Sequence, residues 1–132
     1  MRPFSKVFER LKSAGLRPTR QRLALGKLLF ENGDRHLTAE KLHTEALNEE
    51  IRVSLATVYN TLHQFTEAGL LREIVVDSSR SYFDTNTTNH HHFFIEETGD
   101  LHDIPADQVN LSDLPPAPEG REIKRVDIVV RV

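Results

Sequence analysis

The sequence predicts an α+β chain: a helical N-terminal stretch, a β-hairpin, and a smaller strand-rich domain. Three observations predict it. Apolar residues recur at helical spacing up to about Ala68 and at strand spacing from Leu70 onward. Glycines and an Asn32-Gly33-Asp34 turn signal cut the helical stretch into four pieces. Charge also changes sign along the chain: residues 1–72 carry 12 Lys and Arg against 8 Asp and Glu, and residues 73–132 carry 5 against 12.

The first helix is predicted from Pro3 to about Ser13, with Phe4, Val7, Phe8 and Leu11 on one face and Gly15 as its stop. Thr19 is a good N-cap for a second helix, whose apolar stripe is Leu23, Leu25, Leu28, Leu29 and Phe30. Thr38 caps a third, with Leu42, Ala46 and Leu47 buried. Ser54 caps a fourth that runs to about Ala68, where Leu55, Val58, Leu62 and Phe65 form the core stripe. Gly69 suits the position after the helix end. Residues 70–76 and 80–84 read as a hairpin closed by Asp77-Ser78-Ser79. Helices followed by this hairpin give the order of a winged helix-turn-helix over residues 1–84.

Polar residues 85–89 read as a hinge, and residues 90–132 as a second domain. There, residues 92–96 and 100–103 are predicted strands around Thr98-Gly99. Residues 105–120 are Pro-rich and irregular, with room for one helical turn, and Ile123 to Val132 alternate as a strand.

Composition sets limits. Without cysteine, disulfides, thiolate metal sites and a Cys nucleophile are excluded, so a metal must be held by imidazole and carboxylate. No apolar run approaches the roughly 20 residues that span a bilayer, and Met1 to Lys6 lack a signal-peptide stretch. A cytoplasmic protein with no membrane partner is expected. The first 35 residues hold 9 basic and 3 acidic side chains, a composition that suits a polyanion.

The fourth helix carries the sharpest functional pattern. Opposite its core stripe lie Ala56, Thr57, Asn60, Thr61 and Gln64, small and uncharged, with Tyr59 and His63 on the flank. Such a face can approach base edges in a DNA major groove, where Asn or Gln can pair with adenine. Tyr59 is suited to a thymine methyl or a phosphate. Ser54 and Thr57 sit near the helix start, where backbone N–H groups favour phosphate. Arg17, Arg20 and Arg22 read as backbone or minor-groove anchors, and Arg80 at the hairpin tip as a wing contact to phosphate. His43, His63 and His102 read as surface residues.

His90, His91 and His92 are consecutive, so His90 and His92 face one way on a strand and His91 the other. His36 lies in the loop before the third helix, and Asp84 and Asp103 supply carboxylates. Imidazoles with carboxylates suit Fe(II), Mn(II) or Zn(II). A metal bridging the hinge would bias the angle between domains and hence the spacing of recognition helices in a dimer. A catalytic metal is the rival reading, but no glycine-rich phosphate loop or nucleophile motif accompanies it. No enzyme is expected.

Gly15-Leu16-Arg17-Pro18-Thr19-Arg20-Gln21-Arg22, His36-Leu37-Thr38-Ala39-Glu40, Leu55-Ala56-Thr57-Val58-Tyr59-Asn60-Thr61-Leu62 and the histidine triplet together resemble the ferric uptake regulator family. The resemblance covers residues of about 3–104 in register and the terminal strand more loosely. It implies a dimeric, metal-dependent repressor of a double-stranded DNA operator, with a winged helix joined to a small α/β dimerisation domain. It gives Tyr59 the base contact, beside Asn60, Arg17 and Thr57. Its regulatory metal site corresponds to His36, Asp84, His90, His92 and Asp103. A second family site falls on Asn89, His91, Asn110 and Asp127, with weak amides in place of two ligands.

The family's usual Cys-x-x-Cys is absent, and Asn89-His90-His91-His92 replaces its His-His-Asp-His. Both features are similar to the iron response regulator branch. That similarity implies control of iron and haem homeostasis genes and haem contact through His90, His91 and His92. The alternative is a family member that senses manganese, zinc or peroxide with no haem role.

Overall fold

The computed structural model describes residues 5–132, with side chains from Lys6. Pro3 and Phe4, assigned above to the first helix, lie outside the described residues. The architecture is α+β, and the chain divides into two compact units, one ending at Thr87 and the other beginning at Thr88.

The first unit contains α1 (Ser5–Ser13), α2 (Arg20–Phe30), β1 (His36–Leu37), α3 (Ala39–Asn48), α4 (Leu55–Glu67), β2 (Arg72–Asp77) and β3 (Arg80–Asp84). Three helices start on residues that fit the N-cap role. Thr19, Thr38 and Ser54 are extended, and each hydroxyl accepts the backbone N–H three residues on, from Arg22, Lys41 and Thr57. Each cap contributes about 1 kcal/mol. Gly15 and Gly69 take φ near +80°, which lets Leu16 N–H reach Leu11 O and Leu70 N–H reach Phe65 O as α1 and α4 end.

Leu11, Leu25, Leu29, Leu42, Val58, Leu62, Phe65 and Phe83 are fully enclosed in one apolar cluster. α1 meets α2 at a glycine: a Cβ on Gly26 would lie 2.6 Å from Val7 Cγ1. β3 is the middle strand of an antiparallel sheet in the order β1-β3-β2.

Several expectations need correction. Leu47 is 55% exposed, because α3 buries only the narrower line of Ala39, Leu42 and Ala46. Phe8 also reaches solvent, with the Lys12 ammonium 5.4 Å over its ring. The first hairpin strand starts at Arg72 rather than Leu70. His36 is not in a loop: with Leu37 it forms β1, opposite Asp84 and Phe83. Thr85, assigned to the hinge, donates its N–H to Arg35 O and accepts from Arg35 N–H, so it is held in the first unit.

The second unit contains β4 (His90–Ile95), β5 (Asp100–Pro105), a single 3-10 turn (Ala106–Gln108) and β6 (Val129–Arg131). β4 lies in the middle, antiparallel to β5 and parallel to β6. The strand predicted over 123–132 shrinks to 129–131, since its partners on β4 are confined to His92, Phe93 and Phe94. β4 begins at His90, so all three histidines lie within it. Phe94, Leu101 and Ile104 are the buried apolar side chains of this second unit.

Candidate functional site

The first surface is built on α4. Its core line, Val58, Leu62 and Phe65, packs inward and turns Ala56, Asn60 and Gln64 outward. Thr61, expected on that outer face, is buried at 5% exposure. Arg17, Thr19, Gln21, Arg22, Thr57, Asn60, Thr61 and Gln64 line an open groove of about 420 Å³ between the start of α2 and α4. That lining contains two guanidiniums and no carboxylate.

Two long-range contacts shape this face. Arg22 donates from Nε and Nη2 to Gln64 Oε1 at 3.3 and 3.0 Å, and from Nη1 to Arg17 O at 2.9 Å. The Tyr59 hydroxyl donates to Glu40 Oε1 at 2.7 Å. This hydrogen bond to a carboxylate, aided by partial burial and by repulsion of a phenolate from Glu40, raises the Tyr59 hydroxyl above its ordinary pKa. It therefore stays protonated. Nothing in the local sequence signals either pair, since their members are 42 and 19 residues apart.

Of the other predicted contacts, Ser54 donates its hydroxyl to Thr57 Oγ1 at 3.0 Å while capping the helix. Arg17, Arg20 and Asn60 are exposed. Arg80, predicted to meet phosphate at the wing, is ion-paired within its own hairpin: Nη2 lies 2.8 Å from Asp77 Oδ2. Hydrogen bonds from Arg80 and then from the Ser79 amide and hydroxyl hold the Asp77 carboxyl far below the usual carboxylate range. His43 is half-buried rather than solvent-facing, with Nε2 3.1 Å from Val53 O. His63 and His102 are exposed.

The second surface lies on β4 and β5. Alternation puts His90 and His92 on one face, with ring centroids 4.6 Å apart. Asp103 is the register partner of His92 and brings its carboxylate between them. Its Oδ1 is 3.4 Å from His92 Nε2 and 3.7 Å from His90 Nε2. His90 Nδ1 lies 2.7 Å from Thr88 O, which assigns the ring proton to Nδ1 and leaves Nε2 as the basic nitrogen.

Two ligand atoms each about 2.1 Å from a tetrahedral metal stand about 3.4 Å apart. The donor atoms of His90, His92 and Asp103 all fall within 4.8 Å of one another. The residues fit a divalent cation without rebuilding the strands. His91 points the other way, buried, and its Nδ1 accepts the Ile128 N–H at 3.2 Å. Asp127, on the expected second site, pairs with Arg125.

In the first unit, His36 and Asp84 are register partners on β1 and β3. Asp84 is buried, and its Oδ1 accepts the Asn86 N–H at 2.9 Å. Among the described residues, no helix is long and apolar enough to cross a membrane.

Comparison with known proteins adds the following. A sequence-family model described as the ferric uptake regulator family matches residues 13–130. The peroxide-responsive repressor PerR of Staphylococcus aureus is 35% identical over 100 residues, 76% of this chain and 67% of that protein. The ferric uptake regulator of Pseudomonas aeruginosa, solved with manganese, superposes with a TM-score of 0.72 at 26% identity over 96% of each chain. That of Vibrio cholerae gives 0.73 at 23% identity, over 95% of this chain and 97% of that one, a likeness of fold alone.

Proposed function

The chain belongs to the ferric uptake regulator family, and on that premise we propose how it acts. It is a DNA-binding transcription regulator, not an enzyme. In this reading it is a homodimeric repressor that lays α4 in the major groove of an operator, with Tyr59, Asn60 and Thr57 toward bases. Arg17, Arg20, Ser54 and Arg80 take the flanking phosphates. Arg80 must then exchange Asp77 for phosphate.

DNA affinity is set by a divalent metal held by His90, His92 and Asp103. The observation that carries this is the cluster itself: two imidazoles and a carboxylate at ligand spacing, with the His90 tautomer set by Thr88 O. A cation there would supply positive charge that ties β4 to β5. His36 and Asp84, matched by resemblance, complete the ligand set in the proposal, with residues 86–89 as the hinge. Fe, Mn and Zn all suit these donors.

The finer assignment is to the iron response regulator branch, with haem as a second ligand of His90, His91 and His92. Lack of cysteine and the third histidine support it. Burial opposes it: all three histidines are 4% exposed or less, so haem has to displace neighbouring chain to reach them. A peroxide-sensing role is the second reading, favoured by the 35% identity to a peroxide-responsive repressor.

Duplexes enriched from a random pool by the wild type, titrated with protein in chelator, Mn(II), Zn(II) or haem, test this. Mn(II) or Zn(II) should change the Kd by about 5-fold to 150-fold. A His90→Ala/His92→Ala variant should bind as the chelated wild type does. A response confined to haem would shift the assignment to haem alone, and one confined to metal would remove haem. DNA release only after Fe(II) and peroxide would select the peroxide reading. No enrichment, or an unaltered metal response in the variant, contradicts the proposal.

A further inference from the structure

Hydrogen-bond accounting on the α4 face leads past general DNA binding to what that face can read. Tyrosine carries one O–H donor, and Tyr59 directs it to Glu40 Oε1 at 2.7 Å. Its oxygen is left as an acceptor, beside a ring that offers apolar surface. Arginine carries donors only, so the Gln64 amide must turn its oxygen toward Arg22. Its NH₂ group is then left as the donor, on a residue that lines the groove. Each side chain could show either sense, and a charged neighbour selects one.

We propose that Glu40 and Arg22 are positioning residues that set the hydrogen-bond sense of the DNA-reading helix. Tyr59 is set as acceptor-only and Gln64 as donor-only. This rests on the DNA-binding reading above and deepens it. Three consequences follow for the nucleic acid. Tyr59 cannot anchor a phosphate, which offers only acceptors. It meets a thymine methyl through its ring or the amino group of adenine or cytosine through its oxygen. Gln64 cannot make the paired contact to adenine N6 and N7, since its carbonyl is engaged. It donates to guanine, to thymine O4 or to phosphate.

Glu40 also gives the choice a sign. An exposed carboxylate beside a polyanion opposes binding to every duplex alike. In this reading, it selects sequence at the expense of general affinity. Arg22 does the opposite, since its remaining charge favours all duplexes while its fork holds Gln64 and the Arg17 carbonyl together.

The experiment is selection from a random duplex pool with Mn(II) present, using wild type, Glu40→Ala, Glu40→Gln and Arg22→Ala, followed by Kd measurements on enriched and scrambled duplexes. Glu40→Ala frees the Tyr59 proton. Its ratio of scrambled to enriched Kd should fall about tenfold, through tighter binding to scrambled DNA. Glu40→Gln keeps an acceptor without charge. It should retain the wild-type base preference while binding both duplexes several-fold more tightly. Arg22→Ala should admit adenine at one position per half-site where the wild type excludes it.

Unchanged preferences in both alanine variants overturn the proposal. So does a Glu40→Gln variant that loses discrimination as Glu40→Ala does, because charge rather than the acceptor would then be the cause. A wild type that enriches no sequence contradicts the DNA-binding reading itself.

Discussion

The first unit buries an apolar cluster running from Val7 and Leu29 through Val58, Leu62 and Phe65 to Phe83, whereas the second buries Phe94, Leu101 and Ile104 beside three imidazoles. Apolar burial is indifferent to metal. Buried imidazoles are not, because their ring nitrogens need a hydrogen-bond partner or a coordinated cation there. On the proposed function, the difference separates a scaffold that holds reading side chains in place from a sheet that a bound cation would order. The same contrast runs through charge, basic at the start and acidic after Arg72.

Four perturbations break or sharpen that contrast. The largest effect should come from Phe65→Ala. Its side chain is fully enclosed, so removing it costs about 3–5 kcal/mol in a denaturant titration of the whole chain, with or without metal. A loss that Mn(II) abolishes would erase the distinction between the units. Next, Mn(II) at a hundred times its Kd should stabilise the wild type by about 2.7 kcal/mol, read by thermal unfolding. The His90→Ala/His92→Ala variant should gain nothing.

Smaller still, Gly26→Ala forces a Cβ against the buried Val7 methyl. Overpacking of about 1–3 kcal/mol outweighs the roughly 1 kcal/mol of helix propensity gained, so net destabilisation should appear. A stabilised Gly26→Ala would mean that α1 yields freely. The least effect belongs to the exposed wing tip. Asp77 has a depressed pKa in the fold, so its contribution is full above the unfolded value of about 3.9 and is lost as pH falls through the folded value. Amide exchange at Ser79 should quicken in Asp77→Asn at neutral pH, and in the wild type only under strong acid, while α4 is unaffected.

How much was legible follows from the range of each signal. The caps Thr19, Thr38 and Ser54 act within three residues, and the helices start on them. Alternation along β4 likewise puts His90 and His92 on one side, as the strand does. What escaped depends on partners far along the chain. β1 is two residues long and exists through pairing with β3, so no periodicity marks it. The alternating stretch 123–132 has strand character throughout but finds only three residues of β4. Thr61 is small and polar like its neighbours, yet it is buried at 5% exposure. Glu40 entered as part of a short motif, and nothing around it announces the Tyr59 contact.

The central claim is that metal at the histidine cluster and DNA at α4 act on one another. Linkage makes this reciprocal: whatever factor Mn(II) applies to DNA affinity, DNA must apply to Mn(II) affinity. Calorimetric titration of Mn(II) into the protein, alone and saturated with an enriched duplex, measures it directly. The account predicts Kd values that differ by the factor found in the DNA titrations. Identical Mn(II) affinities in the two states would contradict it.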